Sequence, residues 1–403
     1  MNDLINRALL PTGLRDMLPP DAANEAKVVD GVMDVFAAHG FDRVQPPLIE
    51  FEDSLLADDG CLSGQTFRVM DPQAQRMMGL RPDITPQIGR IATTRLHDAP
   101  RPLRLCYAGP VLRVKGSHLR PERQFTQAGL ELIGPDVPAA DVEAVLVAVT
   151  ALHRVRAGDR SVDLGHPRLV PLICEALGVA LHGEAGSPKS IPILADALDH
   201  KDTAAVAALG GAAAPILEAL LQACGPADAA LEQLAAMTLP AAAARELDRL
   251  RAVVASIRAA APGLPLTLDP VENRGFAYHT GIIFTIFSRR LGAELGSGGR
   301  YLAAGREPAV GTTLYIDAVR ETLPPQKSRR RIHVPLGTDP AMVAQLQSEG
   351  YITISGLEPA ADLPDEHAPA ESYTAEIADL PAEARRLGCG DVLVAGAAVS
   401  ANK

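Results

Sequence analysis

Apolar residues recur at three- and four-residue spacing in two segments, which predicts two amphipathic helices. The first segment, residues 19–40, begins at two prolines and ends at a glycine, as helices commonly do. The second segment, residues 138–157, has the same periodicity. Its periodic apolar residues are Val142, Val145, Leu146, Val149 and Leu152.

Four other segments have the composition of strands, and we expect them to form one sheet. Residues 102–114 and 123–134 predict a strand pair joined by a polar loop. Residues 264–287 are rich in aromatic and β-branched side chains, and the glycine-rich residues 295–301 follow them. The four segments therefore favour a fold built on a sheet.

Alternation along the second of these strands brings two polar side chains to one face. Gln127, Gly129 and Glu131 share that face because successive side chains of a strand point to opposite sides. A glutamate is rarely buried without a partner, so a cationic ligand or partner is one explanation. A strand surface that simply faces solvent is the other.

Changes in composition predict where the chain is divided. We expect a core in two parts, residues 1–165 and 263–325, interrupted by an Ala- and Leu-rich helical insertion at 166–262. A linker then leads to residues 326–403, whose strand, helix and strand pattern predicts a small α/β segment. A run of acidic side chains in that segment is typical of a solvated surface.

Composition and charge narrow the class of protein. The chain has 403 residues, 47% of them apolar, and a net charge of −11, which disfavours a nucleic acid as the partner. Its five cysteines form no metal-ligand pattern and predict reduced, mostly buried thiols. Neither a signal segment nor an apolar run of about 18 residues is present, so we expect a cytoplasmic protein without a membrane span.

The hexapeptide RPDITP is the first candidate for binding chemistry. Its prolines restrain the backbone, so Asp83 and Thr85 can present their oxygens on one side. The alternative is a turn in which either side chain caps the helix that follows.

Basic residues supply a second candidate. Arg113, Arg120 and Arg123 surround a polar loop that could hold an anion, although an ordinary exposed hairpin has the same composition. Arg274 precedes an apolar strand that begins near Tyr278 and His279. An arginine at that point needs an anionic partner, which could be a ligand or a structural carboxylate.

The glycine-rich segment LGSGGRY does not have the spacing of a nucleotide-binding loop. Its glycines more simply allow close backbone packing or leave room for a ligand beside Tyr301. Local signatures assemble neither a Ser/His/Asp nor a Cys/His triad.

Six motifs in order resemble one family. They are LPTGLRDMLPP, LRPDITPQIGRI, YAGPVLRV, RQFTQAGLELIG, NRGFAYHTGIIF and GSGGRY. Over about residues 8–320 this pattern resembles the catalytic core of histidyl-tRNA synthetase. The resemblance implies an α+β fold of the class II aminoacyl-tRNA synthetase type, an antiparallel sheet flanked by helices.

Departures from the synthetase pattern concern ATP. Lys115 occupies the place of a glutamate that helps to hold ATP, and Ala318 that of an arginine that stacks on adenine. In the motif RGFAYHTG, Ala277 and His279 replace an aspartate and a tyrosine. These departures argue against two enzymes, a divergent synthetase and a ligase that activates an amino acid without tRNA. A tRNA-binding regulator is disfavoured by the net charge and the short tail.

The amino-acid side of the pocket is retained. This combination resembles the regulatory subunits of ATP phosphoribosyltransferase, which are synthetase paralogues in histidine biosynthesis. The resemblance implies no catalytic residue, metal or cofactor in this chain, a separate catalytic subunit as partner, self-association as a dimer, and allosteric feedback by histidine. The residues it assigns to histidine are Asp83, Thr85, Arg113, Gln127, Glu131, Arg274, Tyr278, His279 and Tyr301.

Overall fold

The computed structural model divides the chain into two compact units, Met1–Pro324 and Pro325–Lys403. The residues it describes are 9–56, 60–116, 121–182, 193–272, 278–324, 329–357, 379–394 and 396–401.

A sheet of nine strands dominates the described part of the first unit. Its strand order is β1-β5-β6-β12-β11-β10-β7-β9-β8, and a separate three-stranded sheet has the order β2-β4-β3. The strands are β1 (Asp42–Arg43), β2 (Ile49–Phe51), β3 (Phe67–Asp71), β4 (Arg76–Leu80), β5 (Leu103–Leu112), β6 (Gln124–Ile133), β7 (Arg160–Gly165), β8 (Gly225–Pro226), β9 (Leu266–Asp269), β10 (His279–Ser288), β11 (Ala293–Ala303) and β12 (Glu307–Tyr315). Strands β5, β6, β12, β11, β10 and β7 pair antiparallel in succession. The expected antiparallel sheet is therefore confirmed.

Helices cover this sheet. They are α1 (Asp21–Ala38), α2 (Glu52–Leu55), α3 (Thr85–Thr94), α4 (Pro138–Arg154), α5 (Leu169–Ala176), α6 (Leu194–Asp199), α7 (Thr203–Leu209), α8 (Ala214–Gln222), α9 (Ala227–Ala235), α10 (Ala241–Ala260) and α11 (Ile316–Glu321). Helices α1 and α4 confirm the two helices predicted from periodicity. The periodic residues Val28, Val32 and Phe36 of α1 are buried, because they form the stripe that faces the core.

Helices α5 to α10 fall in the Ala- and Leu-rich region. They share one apolar core with α1, α4 and one face of the nine-stranded sheet, through residues such as Leu217, Leu250, Leu152 and Phe284. The run of helices is interrupted at Gly225–Pro226, which pairs with β9, and at Pro240, which precedes α10. The division of this unit into a core and an insertion stays a prediction.

The two faces of the nine-stranded sheet differ in what they pack against. Apolar side chains of one face join the core with α1 and α4, and those of the other form a second cluster with α3. On the first face Arg300 of β11 forms a buried two-point ion pair with Asp141 of α4, at 3.0 and 2.9 Å. Its neighbour Tyr301 belongs to the second cluster, so the side chains of Arg300 and Tyr301 lie on opposite faces of the sheet.

The second unit is a small α/β arrangement by itself. It contains β13 (Arg331–Val334), α12 (Pro340–Ser348), β14 (Ile352–Ser355), α13 (Asp379–Arg386), β15 (Asp391–Val394) and β16 (Ala397–Ser400). Strand β13 pairs parallel with both β14 and β15, and β16 pairs antiparallel with β15. The predicted strand, helix and strand pattern is confirmed.

Two further sequence expectations can be compared with the described residues. Cys106, Cys174 and Cys389 are free and buried, as predicted, whereas Cys224 is free and exposed. Among the described helices, none has the length and apolar character needed to cross a bilayer.

Candidate functional site

A cavity of about 180 Å³ opens on the α3 face of the sheet, and we call it the central cavity. Its polar lining comes from the start of α3, from β6, and from the strands β10, β11 and β12. This volume is below the roughly 300–1,000 Å³ of pockets for drug-sized ligands. The central cavity therefore suits a small metabolite.

Glycines of neighbouring strands make room for the cavity. Gly299 of β11 pairs with Gly311 of β12, and both line the cavity. A Cβ on Gly299 would lie 2.8 Å from Ile283 Cγ2, and one on Gly311 would overlap Glu131 Oε2. The glycines of GSGGRY thus do what the sequence predicted, since they allow close packing and leave space beside Tyr301.

Glu131 lines the central cavity and is almost completely buried. Its Oε1 accepts a hydrogen bond from Thr85 Oγ1 at 3.0 Å, and its Oε2 accepts one from the Tyr301 hydroxyl at 2.8 Å. Burial raises the pKa of Glu131 to about 8, although both hydrogen bonds lower it. The solvent-facing alternative for this side chain is wrong, because the helix α3 covers this face of the sheet.

Hydroxyl groups extend this network beside Glu131. The Tyr107 hydroxyl lies 3.1 Å from Thr85 Oγ1 and 2.9 Å from Thr313 Oγ1. Tyr107 is fully buried, and Gly129 leaves the space that its hydroxyl occupies. The buried carboxyl group is therefore surrounded by hydroxyl groups that can donate or accept hydrogen bonds.

Asp83 lines the cavity at the beginning of α3. Its Oδ1 accepts from the Thr85 backbone N–H at 2.9 Å, which is the capping turn considered from sequence. Its Oδ2 accepts from Gln127 Nε2 at 2.7 Å, while Gln127 Oε1 accepts from the Ile84 N–H at 3.2 Å. Asp83 therefore forms the turn and lines the cavity at the same time, and its hydrogen bond with Gln127 fixes its orientation.

Arginines expected near the site take different places. Arg113 does not line the cavity; its Nη2 lies 3.8 Å from Asp83 Oδ2 and its Nε donates to the Pro82 carbonyl. Arg123 donates to the carbonyls of Arg113 and Thr12. Arg274 and Arg120 lie outside the described residues. An α-carboxylate partner for Arg113 or Arg274 stays a prediction.

Three rings form one wall of the cavity. The rings of Tyr278 and Tyr301 are stacked, with centroids 5.1 Å apart, and His279 meets Tyr278 edge to face at 5.0 Å. His279 Nδ1 lies 3.3 Å from the Arg300 carbonyl oxygen. Burial lowers the pKa of His279 to about 4, so its imidazole is neutral near pH 7.

Residues that sequence reasoning missed also line the cavity. The Ser297 and Tyr315 hydroxyls lie 3.0 Å apart, and Thr313 belongs to the network of Tyr107. The alternation of β12 places Gly311, Thr313 and Tyr315 on one face, which is the signal that could have found them. That signal has a meaning only once β12 is known to pair with β6.

Neither of the two residues that depart from the ATP-holding pattern lines the central cavity. Lys115 is exposed, after the end of β5. Ala318 lies in α11, half-buried between the two apolar clusters. Within the described ranges, moreover, no three His, Cys, Asp or Glu side chains are arranged to hold a metal ion.

Comparison with known proteins now places the chain. A family model described as histidyl-tRNA synthetase matches residues 13–319. The ATP phosphoribosyltransferase regulatory subunit of Paramagnetospirillum magneticum is 57% identical over 90% of this chain and 94% of that protein. The one from Rhodospirillum centenum is 51% identical over 96% of this chain and 95% of that protein.

A solved structure agrees with the fold. An ATP phosphoribosyltransferase regulatory subunit/histidyl-tRNA synthetase from Bacillus halodurans has a TM-score of 0.73, covering 89% of this chain and 94% of that one at 24% identity. The fold is thus the histidyl-tRNA synthetase-like class II fold expected from the motifs. Within that class, the chain belongs to the family of ATP phosphoribosyltransferase regulatory subunits.

Proposed function

We propose that this chain is a regulatory subunit without catalytic chemistry of its own, which supports a separate ATP phosphoribosyltransferase subunit and senses free histidine. The complex would carry out the first step of histidine biosynthesis in the cytoplasm, with histidine as feedback inhibitor. Histidine acts by favouring one arrangement of the complex, and a coupling of about 1–3 kcal/mol between the sites is enough for useful feedback.

The main support for the histidine proposal is that the Glu131 carboxyl group is buried in the lining of the central cavity. A buried carboxyl group in the lining of a small cavity matches the α-ammonium group of an amino acid, and Asp83 adds a second acceptor to that lining. The neutral His279 and the Tyr278–Tyr301 stack offer a flat surface for an imidazole. Arg274 and Arg113 are the cations that the resemblance assigns to the α-carboxylate.

Calorimetric titration of the purified chain with histidine tests this assignment. The α-ammonium group of a bound ligand would favour the ionised form of Glu131, whose pKa is about 8 without a ligand. We expect Glu131→Gln to weaken binding by about 10- to 100-fold, because this charge-assisted hydrogen bond becomes a neutral one. Arg274→Ala should also weaken it by leaving the ligand carboxylate unpaired. The control is Glu321→Gln, which neutralises an exposed carboxylate of α11. Unchanged affinity in both site variants would place the regulatory site elsewhere.

The absence of catalysis has its own test. Lys115 and Ala318 replace groups that hold ATP in the synthetases, so we expect no histidine-dependent exchange of pyrophosphate into ATP. Exchange above background by the purified chain would instead support a divergent amino-acid-activating enzyme.

The partner is tested by reconstitution. The catalytic subunit from the same organism is assayed alone and with this chain, and size-exclusion chromatography with light scattering follows assembly. We expect a hetero-oligomer that contains this chain as a dimer, and turnover that depends on it and is inhibited by histidine. Equal turnover and equal histidine sensitivity with and without this chain would refute the regulatory role.

A further inference from the structure

A second cavity, of about 360 Å³, lies in the first unit at the beginning of β7, and we call it the Arg160 cavity. Its walls come from the loop before β7, the segment between α10 and β9, and the end of β10. It is separate from the central cavity, because the two cavities lie at opposite ends of β10. His279, which lines the central cavity, begins this strand, and Arg289, which lines the Arg160 cavity, follows its last residue, Ser288. Nine residues of extended strand span about 30 Å.

Arg160 is a cation without a carboxylate partner in the described part of the chain. Its Nη1 donates to the Ala157 carbonyl at 2.9 Å, but its Nε is buried and has no hydrogen-bond partner there. Burial lowers the pKa of Arg160, and this cost is not offset by an ion pair among the described residues. A buried cation that lacks an ion pair is unfavourable, so a negatively charged group in the cavity would stabilise Arg160 through its charge.

A second arginine borders the same cavity. The Arg289 side chain is 55% exposed, and its Nη1 lies 3.2 Å from Asp159 Oδ1. This single contact leaves most of the guanidinium donors of Arg289 available to a ligand. Two arginines against one aspartate give the cavity a net positive charge, although Asp159 opposes an anion.

The rest of the lining is apolar. Val149, Leu264 and the prolines Pro262 and Pro265 form it, together with Ala261 and Gly263. Because one end is cationic and the body is apolar, the cavity complements an oxyanion attached to a hydrocarbon group. Free phosphate alone would leave the apolar wall uncovered.

We propose that the Arg160 cavity binds a small organic anion, a carboxylate or phosphate ester with an apolar body, held by Arg160 and Arg289. The phosphate and carboxylate forms share the oxyanion, and the experiment distinguishes them. The site does not depend on the central cavity, so its failure and the failure of the histidine proposal are separate results.

The full-length chain is titrated with phenyl phosphate, benzoate and inorganic phosphate in separate calorimetric experiments. We expect phenyl phosphate or benzoate to bind more tightly than inorganic phosphate, and the better of the two identifies the head group. Absence of binding by all three probes overturns the proposal. Inorganic phosphate binding as well as phenyl phosphate would overturn the part played by the apolar wall.

Variants with opposite expected effects sharpen the test. Arg289→Gln and Arg160→Gln should each weaken the best probe by about tenfold or more, the loss of a charge-assisted hydrogen bond. Asp159→Asn should strengthen it, because a repelling carboxylate is removed. Asp159 has a φ of 42°, a conformation that asparagine tolerates, so this variant keeps the backbone.

Controls keep the interpretation independent of folding. Arg306→Gln removes an exposed arginine that does not line the cavity and should leave the affinity unchanged. Gly263→Leu adds a side chain at a lining position where a Cβ meets no atom within 4 Å, and should weaken binding by reducing the space. If Arg160→Gln does not fold, the probe affinity of Arg289→Gln still tests the proposal, because Arg289 is exposed. Wild-type affinity in Arg289→Gln and Asp159→Asn refutes the proposal.

Discussion

Gly311 lies directly opposite Glu131 in the antiparallel pair of β12 and β6, and the absence of its side chain is what leaves room for the Glu131 carboxyl group. A Cβ on Gly311 would overlap Glu131 Oε2, the atom that accepts the hydrogen bond of Tyr301. The position of the acid in the central cavity is therefore set by a glycine on the neighbouring strand.

Gly311→Ala is expected to displace Glu131 and break its bond with Tyr301. We predict a loss of about 0.5–1.5 kcal/mol in the free energy of unfolding, the typical net contribution of one hydrogen bond between uncharged groups, and weaker histidine binding. Thermal unfolding and histidine titration measure the two effects. Gly263→Ala is the control, because its new Cβ meets nothing within 4 Å. Wild-type histidine affinity in Gly311→Ala would contradict the proposal that Glu131 binds histidine in the central cavity.

The stability of the unliganded chain should depend on pH through Glu131. The folded chain holds a proton on this carboxyl group up to a pKa of about 8, whereas an unfolded glutamate loses it near pH 4.5. The resulting stabilisation is complete below pH 4.5 and is lost as the pH rises to 8. Between pH 5.5 and 8.5 the wild type should therefore lose about 3 kcal/mol relative to Glu131→Gln.

Denaturant unfolding of the two proteins at several pH values, followed by circular dichroism, makes this comparison. Glu321→Gln should run parallel to the wild type, because its carboxylate is exposed. A stability difference between the wild type and Glu131→Gln that does not change with pH would show that Glu131 is ionised in the folded chain.

His279 should remain neutral well below the pH at which an ordinary histidine takes up a proton. Its pKa of about 4 results from burial, and an exposed imidazole titrates near 6.5. The folded chain should therefore lose stability as the pH falls from 6.5 towards 4, since only the unfolded His279 binds a proton there. Nitrogen-detected NMR of the ring at pH 5.5 checks the charge state, with His279→Gln identifying the signal. A cationic ring at that pH contradicts the prediction.

The buried pair of Arg300 and Asp141 should be a major element of stability. Asp141→Asn removes the two-point partner of a buried guanidinium that keeps Asp136 at 3.3 Å and the carbonyls of Pro135 and Val137, and the expected cost is about 1.5–3 kcal/mol. Denaturant unfolding measures it, and the effect should persist at high salt because the pair is shielded from water. Arg289→Gln, which removes one member of an exposed pair, should cost less than about 1 kcal/mol. Equal costs for the two variants would contradict the role of burial.

The sequence alone determined the local elements and much of the site. Periodicity found α1, and alternation found that Gln127 and Glu131 share one face of β6. For the motif RPDITP the sequence left a capping turn and a presentation of oxygens as alternatives, and the structure shows the turn together with Asp83 and Thr85 in the cavity lining. These inferences succeeded because they depend on residues within a few positions of each other.

Only the tertiary structure decided which partners meet across the sheet. Arg300 forms an ion pair with Asp141, and Tyr301 donates a hydrogen bond to Glu131. These partners are 159 and 170 positions apart in the chain. The strand order that sets β12 between β6 and β11 brings Thr313 and Tyr315 to the central cavity, and no local pattern encodes that order. Whether Glu131 faced solvent or the interior was also undecided until α3 was placed over it. Burial then gave the same carboxyl group a raised pKa, a property that belongs to its surroundings rather than to the residue.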